Sequence, residues 1–234
     1  MKYSNKTWRA CALCMLAALA MTTGCQNKPA ETADSTNAAT DSVVAESPLD
    51  NAVVRAIMDR RSVRKYKPEP VPKEMLDVIL HCGINAPNAM NEQRWEVRVT
   101  ESKAFIDGVT KVFVESAEND ERVKKMVENP DFHNMFRNAP TVIFVAGKAD
   151  EKSSSIDCGL LGENIMLAAQ SMGLGTCCLG SAAGFLNSNP GAANYLKQLA
   201  FSDGYELLYA IAIGYPDESP EAKPRDASKI RYIE

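Results

Sequence analysis

The segment TVIFVAG, residues 141–147, constrains the fold more than any other part of this chain. It is a nearly continuous apolar run that directly follows Pro140, which is typical of a central strand buried on both faces. The segment WEVRVT, residues 95–100, alternates apolar and polar side chains as a half-buried strand does. Two further strands are predicted in GLGTCCLG, residues 173–180, and in YELLYAIAIGYP, residues 205–216.

Apolar residues at helical spacing predict helices between these strands. The predicted helices cover residues 51–60, 72–82, 103–128 with a break near Asn119, 155–172 and 191–201. Pro72 suits the start of the second helix, and Gly83 suits a C-terminal cap that closes it. Helices and strands mix without strict strand–helix–strand alternation, so we predict an α+β fold. The tail KIRYIE, residues 229–234, is predicted as a last short strand.

The first 25 residues have the pattern of an export signal. Lys2, Lys6 and Arg9 precede an apolar run at residues 11–21, which is shorter than the about 20 residues of a membrane-spanning helix. The run leads to small residues and Cys25, and ALAMTTGC resembles a bacterial lipoprotein signal in which that cysteine is acylated and becomes the mature N-terminus. An ordinary cleaved signal and a buried N-terminal helix are the alternatives that these residues leave open.

Composition separates the rest of the chain into two parts. Residues 26–48 are rich in Ala, Thr, Ser, Asp and Asn and hold no aromatic residue, so they cannot bury a core. We therefore predict a signal peptide at 1–24, a flexible tether at 25–48 and one folded domain at 49–234. The anchor would place that domain in the cell envelope, facing the periplasm. Loss of residues 1–24 removes three positive charges and moves the net charge from −4 to −7, so no nucleic-acid partner is expected.

Several common catalytic motifs are missing. GLGTCC lacks the third glycine and the acidic residue of a dinucleotide fingerprint, and the chain has neither a P-loop nor a G-x-S-x-G motif. His81 and His133 pair with no cysteine at zinc spacing, so no metal site is expected. Cys177 and Cys178 could form a strained disulfide, although small apolar residues in a strand are the favoured interpretation.

Anion-binding side chains concentrate in two segments. RRSVRKY supplies Arg60, Arg61, Ser62 and Arg64 between two predicted helices, and arginine matches phosphate oxygens with two parallel hydrogen bonds. EAKPRD supplies Lys223 and Arg225 on either side of a proline. The two clusters could close on one dianion. The alternative is that each cluster is a set of solvated surface charges.

A third polar segment, APNAMNEQRW, lies between those two clusters in the sequence. Asn88, Asn91 and Gln93 supply amides that donate and accept hydrogen bonds at once, which suits the pyrimidine edge of a flavin or a base. Two later segments complete the pattern, GENIMLAAQSMGLGTCCLGS and IAIGYPDESPEAKPR. The order of the arginine segment, the amide segment and these two later segments over residues 51–234 resembles the nitroreductase family of FMN-dependent oxidoreductases. The resemblance implies a central, mostly antiparallel sheet flanked by helices and an intertwined homodimer with FMN at the interface.

The resemblance also implies which residues bind FMN. They are Arg60, Arg61, Ser62, Arg64, Pro87, Asn88, Ala89, Asn91, Gln93, Leu179, Gly180, Ser181, Lys223 and Arg225. In the family the arginine segment and the late basic pair hold the phosphate and ribityl chain, the amide loop packs against the partner subunit's flavin, and the turn at 179–181 aims backbone N–H groups near flavin N5. Asn88 replaces a common Ser and Arg94 a common Pro, which would place a charge near the mouth of the site.

The activity that the resemblance implies is ping-pong reduction of a small acceptor, such as a nitroaromatic or a quinone, with NAD(P)H as the donor. No catalytic side chain is implied, because the flavin supplies the redox chemistry. A lipoprotein lies outside the cytoplasm, where NAD(P)H is not expected, so the donor stays open. The alternatives are a non-catalytic flavin- or ligand-binding lipoprotein with the same fold, or a cytoplasmic nitroreductase whose N-terminal segment is no signal. The helix at 155–172 and the tail at 229–234 are the predicted interface pieces.

Overall fold

An antiparallel sheet forms the centre of this structure, a computed structural model that describes residues 50–234. Its strands are β1 (Trp95–Thr100), β2 (Thr141–Lys148), β3 (Gly175–Leu179) and β4 (Tyr205–Gly214), in the order β1-β2-β4-β3. In β2 every residue from 141 to 147 is buried, which confirms the predicted central strand. All three strand pairs are antiparallel, and helices cover both faces, so the predicted α+β class is confirmed.

The helices of the described residues follow the predicted order, with one addition. They are α1 (Ala52–Asp59), α2 (Lys73–Ile84), α3 (Lys103–Glu115), α4 (Glu121–Val127), α5 (Ser154–Ser171), α6 (Gly180–Ser188) and α7 (Ala193–Gln198). A short 3-10 turn at Ser116–Asn119 separates α3 from α4, where the break was predicted. Helix α6 was not predicted, because GSAAGFLNS is short and rich in small residues.

One face of the sheet packs against α2 and α5. Ile143 of β2 and Ile211 of β4 belong to the same buried cluster as Ile79 of α2 and Ile165 of α5. The prediction that Gly83 closes α2 is wrong, because the helix continues to Ile84. A Cβ at Gly83 would lie 2.6 Å from Ile165 Cγ1, so this glycine lets the two helices approach closely.

The other face packs against α3, α6 and the segment before β2. Phe144 of β2 is fully buried, and its ring makes edge contacts with Phe105 and Phe136 at centroid distances of 5.9 and 5.7 Å. Because neighbouring residues of a strand point to opposite faces, the single run TVIFVAG supplies both cores. This burial on both faces makes the sheet a rigid support for the loops at its ends.

The tail at 229–234 forms no strand within one copy of the chain, and the hypothesis that it is a strand crossing to the partner subunit stays a prediction. Ile230, Tyr232 and Ile233 are 71%, 94% and 90% exposed. The predicted signal, Cys25 and the tether lie outside the described residues. Within residues 50–234, no helix has the length and apolar character needed to cross a membrane.

Candidate functional site

The two cationic clusters, more than 150 residues apart in sequence, lie around a single cleft of about 130 Å³. The cleft is lined by Arg60, Arg61, Ser62, Arg64, Pro220, Glu221, Lys223 and Arg225. The structure therefore brings together the residues that were predicted from the sequence as phosphate ligands.

Backbone pairing explains why the clusters meet. Val63 N donates to Thr176 O of β3 at 3.0 Å, so the arginine segment runs beside the start of that edge strand. Lys67 N then donates to Tyr215 O at 2.9 Å, which joins the same segment to the continuation of β4. A Cβ at Gly175 would lie 2.8 Å from Val63 Cβ, so only a glycine permits this close approach.

Tyr66 fixes the far end of the arginine segment. Its hydroxyl donates to Val63 O at 2.6 Å and lies 3.3 Å from Ala212 O of β4, while its ring is buried in the core. Burial raises the pKa of the Tyr66 phenol well above its usual range. Tyr66 was not identified from the sequence, because only the charged residues and the serine of RRSVRKY were considered as functional.

The side chains of the cleft cations have no ion-pair partner among residues 50–234, where no carboxylate oxygen lies within 4.0 Å of their side-chain nitrogens. The carboxylate of Glu218 accepts a hydrogen bond from the backbone N–H of Arg64 instead. Arg61 turns back to cap α1, with Nη1 donating to Met58 O at 2.6 Å. Arg64 Nη1 donates to Ser62 O at 2.9 Å. Glu221 is an acidic group on the lining. A cleft with this excess of positive charge suits a phosphate dianion.

The amide loop has a strained and well-anchored backbone. Met90, Asn91 and Gln93 have positive φ angles of 53°, 56° and 50°, a region that residues other than glycine rarely adopt. Asn88 Oδ1 accepts from Gln93 N at 2.9 Å, so this amide side chain braces the loop. Asp157 of α5 was not identified from the sequence, and its Oδ1 accepts from Ala89 N at 3.1 Å.

Within one copy, the amide loop and the cationic cleft lie at opposite corners of the sheet. The loop precedes β1 at one edge, where Trp95 pairs with Gly147. The cleft adjoins β3 at the other edge, at the level where Thr176 pairs with Ile213. With strands about 4.8 Å apart and residues about 3.3 Å apart along them, the corners are separated by roughly 25 Å.

Arg94 does not place a free charge at the mouth of a site, so that expectation is wrong. Its side chain is only 15% exposed and forms an ion pair with Glu92. Nη1 donates to Ser153 Oγ at 2.8 Å and lies 3.6 Å from Glu151 Oε2. The guanidinium is therefore neutralised and ties the amide loop to the start of α5.

The turn at 179–181 is the junction of β3 and α6. Leu179 ends the strand, Gly180 begins the helix, and no side chain caps the first helical N–H groups. Unpaired N–H groups at a helix start favour developing negative charge. Ser181 also lines a second cavity of about 550 Å³, together with Arg137, a residue that was not singled out in the sequence.

The two adjacent thiols are free, and the strand turns them toward opposite faces. Cys177 is buried in the core and Cys178 is exposed, so the interpretation as an apolar strand residue fits Cys177 only. Burial raises the pKa of the Cys177 thiol, although Arg64 and Arg137 oppose the shift. The pKa of Cys178 is also raised, because the protein around the sulfur removes part of its solvation and Cys177 adds a like charge. Neither thiol is therefore activated as a nucleophile.

Replacing Tyr66 by Phe should lower the unfolding free energy by about 1 kcal/mol at pH 7, because the bond to Val63 O is lost. Above about pH 10 an unfolded tyrosine ionises while buried Tyr66 stays neutral, so the wild type loses stability as pH rises. Tyr66→Phe should show a shallower loss between pH 9.5 and 11, measured by urea unfolding.

The matched control is Tyr232→Phe, which removes the hydroxyl of an exposed ring. Its stability at each pH should equal that of the wild type. An equal loss in Tyr66→Phe and Tyr232→Phe would contradict the assignment of Tyr66 as the anchor.

Comparison with known proteins places this architecture in one family. A family model described as "Nitroreductase family" matches residues 57–215, more than half of the chain. The NADPH-flavin oxidoreductase of Vibrio harveyi is 29% identical over 186 residues, which cover 75% of this chain and 70% of that protein. The 4-nitrobenzoate reductase of Pseudomonas putida is 25% identical over 203 residues, which cover 70% of this chain and 85% of that protein.

Among solved structures, a nitroreductase with bound FMN from Desulfitobacterium hafniense shares the fold with a TM-score of 0.71 at 27% identity. The alignment covers 79% of this chain and 99% of that chain. Because the family model matches more than half of the chain and the fold is shared with a solved nitroreductase, we conclude that this chain belongs to the nitroreductase family.

Proposed function

We propose that this protein is a flavin-dependent oxidoreductase whose cofactor is FMN. The observation that carries the proposal is the convergence of Arg60, Arg64, Lys223 and Arg225 on a single cleft without ion-pair partners among the described residues. Such a cluster needs a dianion to offset the mutual repulsion of its charges, and the phosphate of FMN is one. The FMN bound to the relative from Desulfitobacterium hafniense supports this choice.

The chain's own residues would bind and orient the cofactor. The cleft cations hold the phosphate, and Ser62 adds a hydroxyl donor. The backbone N–H groups at Gly180 and Ser181 would lie near flavin N5 and stabilise negative charge there. Bound FMN would supply two-electron transfer between a donor and an acceptor. No side-chain nucleophile is needed, in agreement with the raised pKa values of Cys177 and Cys178.

The reaction we propose is reduction of a nitroaromatic or a quinone in two half-reactions. With NADPH as the donor, one NADPH and one proton convert a quinone to a quinol and NADP⁺. A nitro group takes two electrons and two protons to give a nitroso group and water. The names of the relatives from Vibrio harveyi and Pseudomonas putida, an NADPH-flavin oxidoreductase and a 4-nitrobenzoate reductase, support NADPH as the donor and a nitroaromatic as the acceptor.

The double variant Arg60→Ala with Arg225→Ala should bind FMN about a hundredfold more weakly, because two charge-assisted contacts to the phosphate are lost. Bound flavin is measured by absorbance after gel filtration, and circular dichroism checks that the fold is retained.

The control for charge is Lys67→Ala with Lys229→Ala, which removes two nearby cations that do not line the cleft and should leave FMN binding unchanged. Full flavin retention in Arg60→Ala with Arg225→Ala would contradict the cofactor site. A flavin that stays oxidised with every donor would favour the non-catalytic binding protein.

We also propose that the active form is a homodimer, in which the amide loop of one copy meets the cleft of the other. Within one copy the two features lie at opposite corners of the sheet. A cavity of about 830 Å³ is an apolar groove between α1, α2 and α5 that includes Val53 and Leu167. Val53, Ile57 and Met58 of α1 are 50–63% exposed, which is unusual for an apolar helix face without a partner.

Val53→Glu should convert the dimer to a monomer, because a carboxylate would be buried without a partner at the proposed subunit interface. Sedimentation velocity measures the change. Arg55→Gln alters an exposed residue of the same helix and should leave the dimer intact. A wild-type chain that sediments as a monomer would contradict the proposed interface.

The N-terminal segment carries a separate proposal, an acyl anchor on Cys25 joined by the tether at 25–48 to the folded domain at 49–234. The protein would then lie in the cell envelope, facing the periplasm. The support is the sequence of residues 1–25, a basic start and a short apolar run that ends in Gly-Cys. At that location the electron donor would differ from cytoplasmic NAD(P)H.

Expression of the full chain in a bacterial host should yield a membrane-associated protein whose N-terminal residue is an acylated Cys25. Mass spectrometry of the N-terminal peptide reads both the cleavage site and the added acyl mass. Cys25→Ala should stay unprocessed at this site. Wild-type protein that keeps Met1 and remains in the soluble fraction would contradict the anchor and favour a cytoplasmic enzyme.

A further inference from the structure

The 550 Å³ cavity beside α6 has both apolar and charged side chains on its lining, the charged ones being Asp120, Arg122 and Arg137. Phe113 of α3 and Phe185 of α6 meet edge to face, with ring centroids 5.2 Å apart, and Met126 of α4 lies on the same lining. Aromatic rings and methionine favour a flat, apolar ligand body. Ser181, proposed to face flavin N5, also lines this cavity. The position suits an acceptor that must lie next to the flavin.

Arg137 gives this cavity an unneutralised positive charge. Arg122 also lines it, but its Nη2 pairs with Asp120 Oδ2 at 3.1 Å. Arg137 lies more than 4.0 Å from every carboxylate oxygen in residues 50–234, and its Nη1 lies 3.5 Å from Met126 Sδ. A half-buried guanidinium whose side-chain hydrogen bonds, within residues 50–234, go only to a thioether retains most of its capacity to bind an anion.

The backbone that carries Arg137 is held rigidly in a strained conformation. Arg137 and Asn138 have positive φ angles of 61° and 63°. Asn134 Oδ1 accepts from Phe136 N at 2.9 Å and from Asn138 N at 3.0 Å. Asn138 Oδ1 in turn accepts from His133 N at 2.8 Å. These amide bonds offset the backbone strain and place the guanidinium before a ligand arrives.

We propose that this cavity binds the electron acceptor and selects aromatic acceptors that bear a carboxylate, with Arg137 as the anion-binding residue. The inference rests on the proposed function, because reduction of the acceptor needs the flavin beside Ser181. For a nitrobenzoate, two electrons from the donor and two protons convert the nitro group to nitroso and water, and the carboxylate on Arg137 is unchanged.

The test compares an anion with a neutral molecule of the same shape. Benzoate and benzamide serve as non-reducible ligands, and isothermal titration calorimetry on the FMN-loaded full chain measures their dissociation constants. Benzoate should bind about tenfold more tightly than benzamide, because a charge-assisted pair replaces a neutral hydrogen bond. In parallel, reduction of 4-nitrobenzoate and 4-nitrobenzamide is measured with NADPH as the reductant, or with protein whose FMN has been reduced by dithionite and then freed of excess dithionite by gel filtration.

Arg137→Gln should weaken benzoate binding about tenfold and leave benzamide within about twofold, because only the charge is removed. Arg137→Lys should restore part of the benzoate affinity, since a lysine keeps the charge without the planar fork. Lys125→Gln is the control, because it removes an exposed positive charge from α4 that is not on the cavity lining. Both ligands should bind this control as they bind the wild type.

The outcomes separate this inference from the proposed function. Equal affinities for benzoate and benzamide, or a benzoate affinity that Arg137→Gln leaves unchanged, would overturn the inference. If 4-nitrobenzamide is reduced in that case, the proposed function stands. Arg137-dependent benzoate binding without reduction of either nitro compound would support the anion-binding cavity and contradict the proposed function. Absence of both binding and reduction would overturn both.

Discussion

The pairing of the arginine segment with the sheet is the interaction on which the rest of the site depends. Val63 N bonds to β3, Lys67 N bonds to the continuation of β4, and Tyr66 closes the segment from the core side. The two backbone bonds from Val63 and Lys67 join residues separated by more than a hundred positions, so they can form only after the sheet has brought β3 and β4 together. Once formed, they place the charges of Arg60 and Arg64 next to those of the late basic segment.

The strained backbone conformations lie in loops, and the buried sheet holds these loops in place. The left-handed residues at 90, 91 and 93 and those at 137 and 138 lie in two loops whose polar groups face a proposed ligand. Asp157 braces the first loop, and the side chains of Asn134 and Asn138 brace the second. Each brace keeps a costly backbone conformation in place, so the polar groups are positioned before a ligand binds. Strand β2 is buried on both faces and closely packed, so it resists the shifts that would relieve the strain in the loops.

Much of the fold could be predicted from local patterns. The run at 141–147 indicated a central strand, and the apolar stripes indicated α2, α3 and α5. These predictions succeed because the residues on a buried face are apolar and recur with the period of the strand or helix. Helix α6 was not predicted because its small residues give only a weak pattern of apolar spacing. Gly83 was misassigned as a helix cap. A glycine is needed there because Ile165 of another helix, α5, lies too close for a Cβ, and the sequence of α2 does not show this contact. For the candidate site, the two cationic clusters were recognised as segments, and the family order related them to each other.

The sequence by itself determined the residue types available for chemistry, the buried strands and the family, because composition, periodicity and motif order are local properties of the chain. Only the tertiary structure decided which charges are free to bind a ligand. Arg94 is neutralised by Glu92 and Glu151, whereas the cleft arginines and Arg137 have no such partner among the described residues. The physical reason is that Coulomb interactions and hydrogen bonds depend on distances across the fold, and those distances are set by packing of segments far apart in sequence.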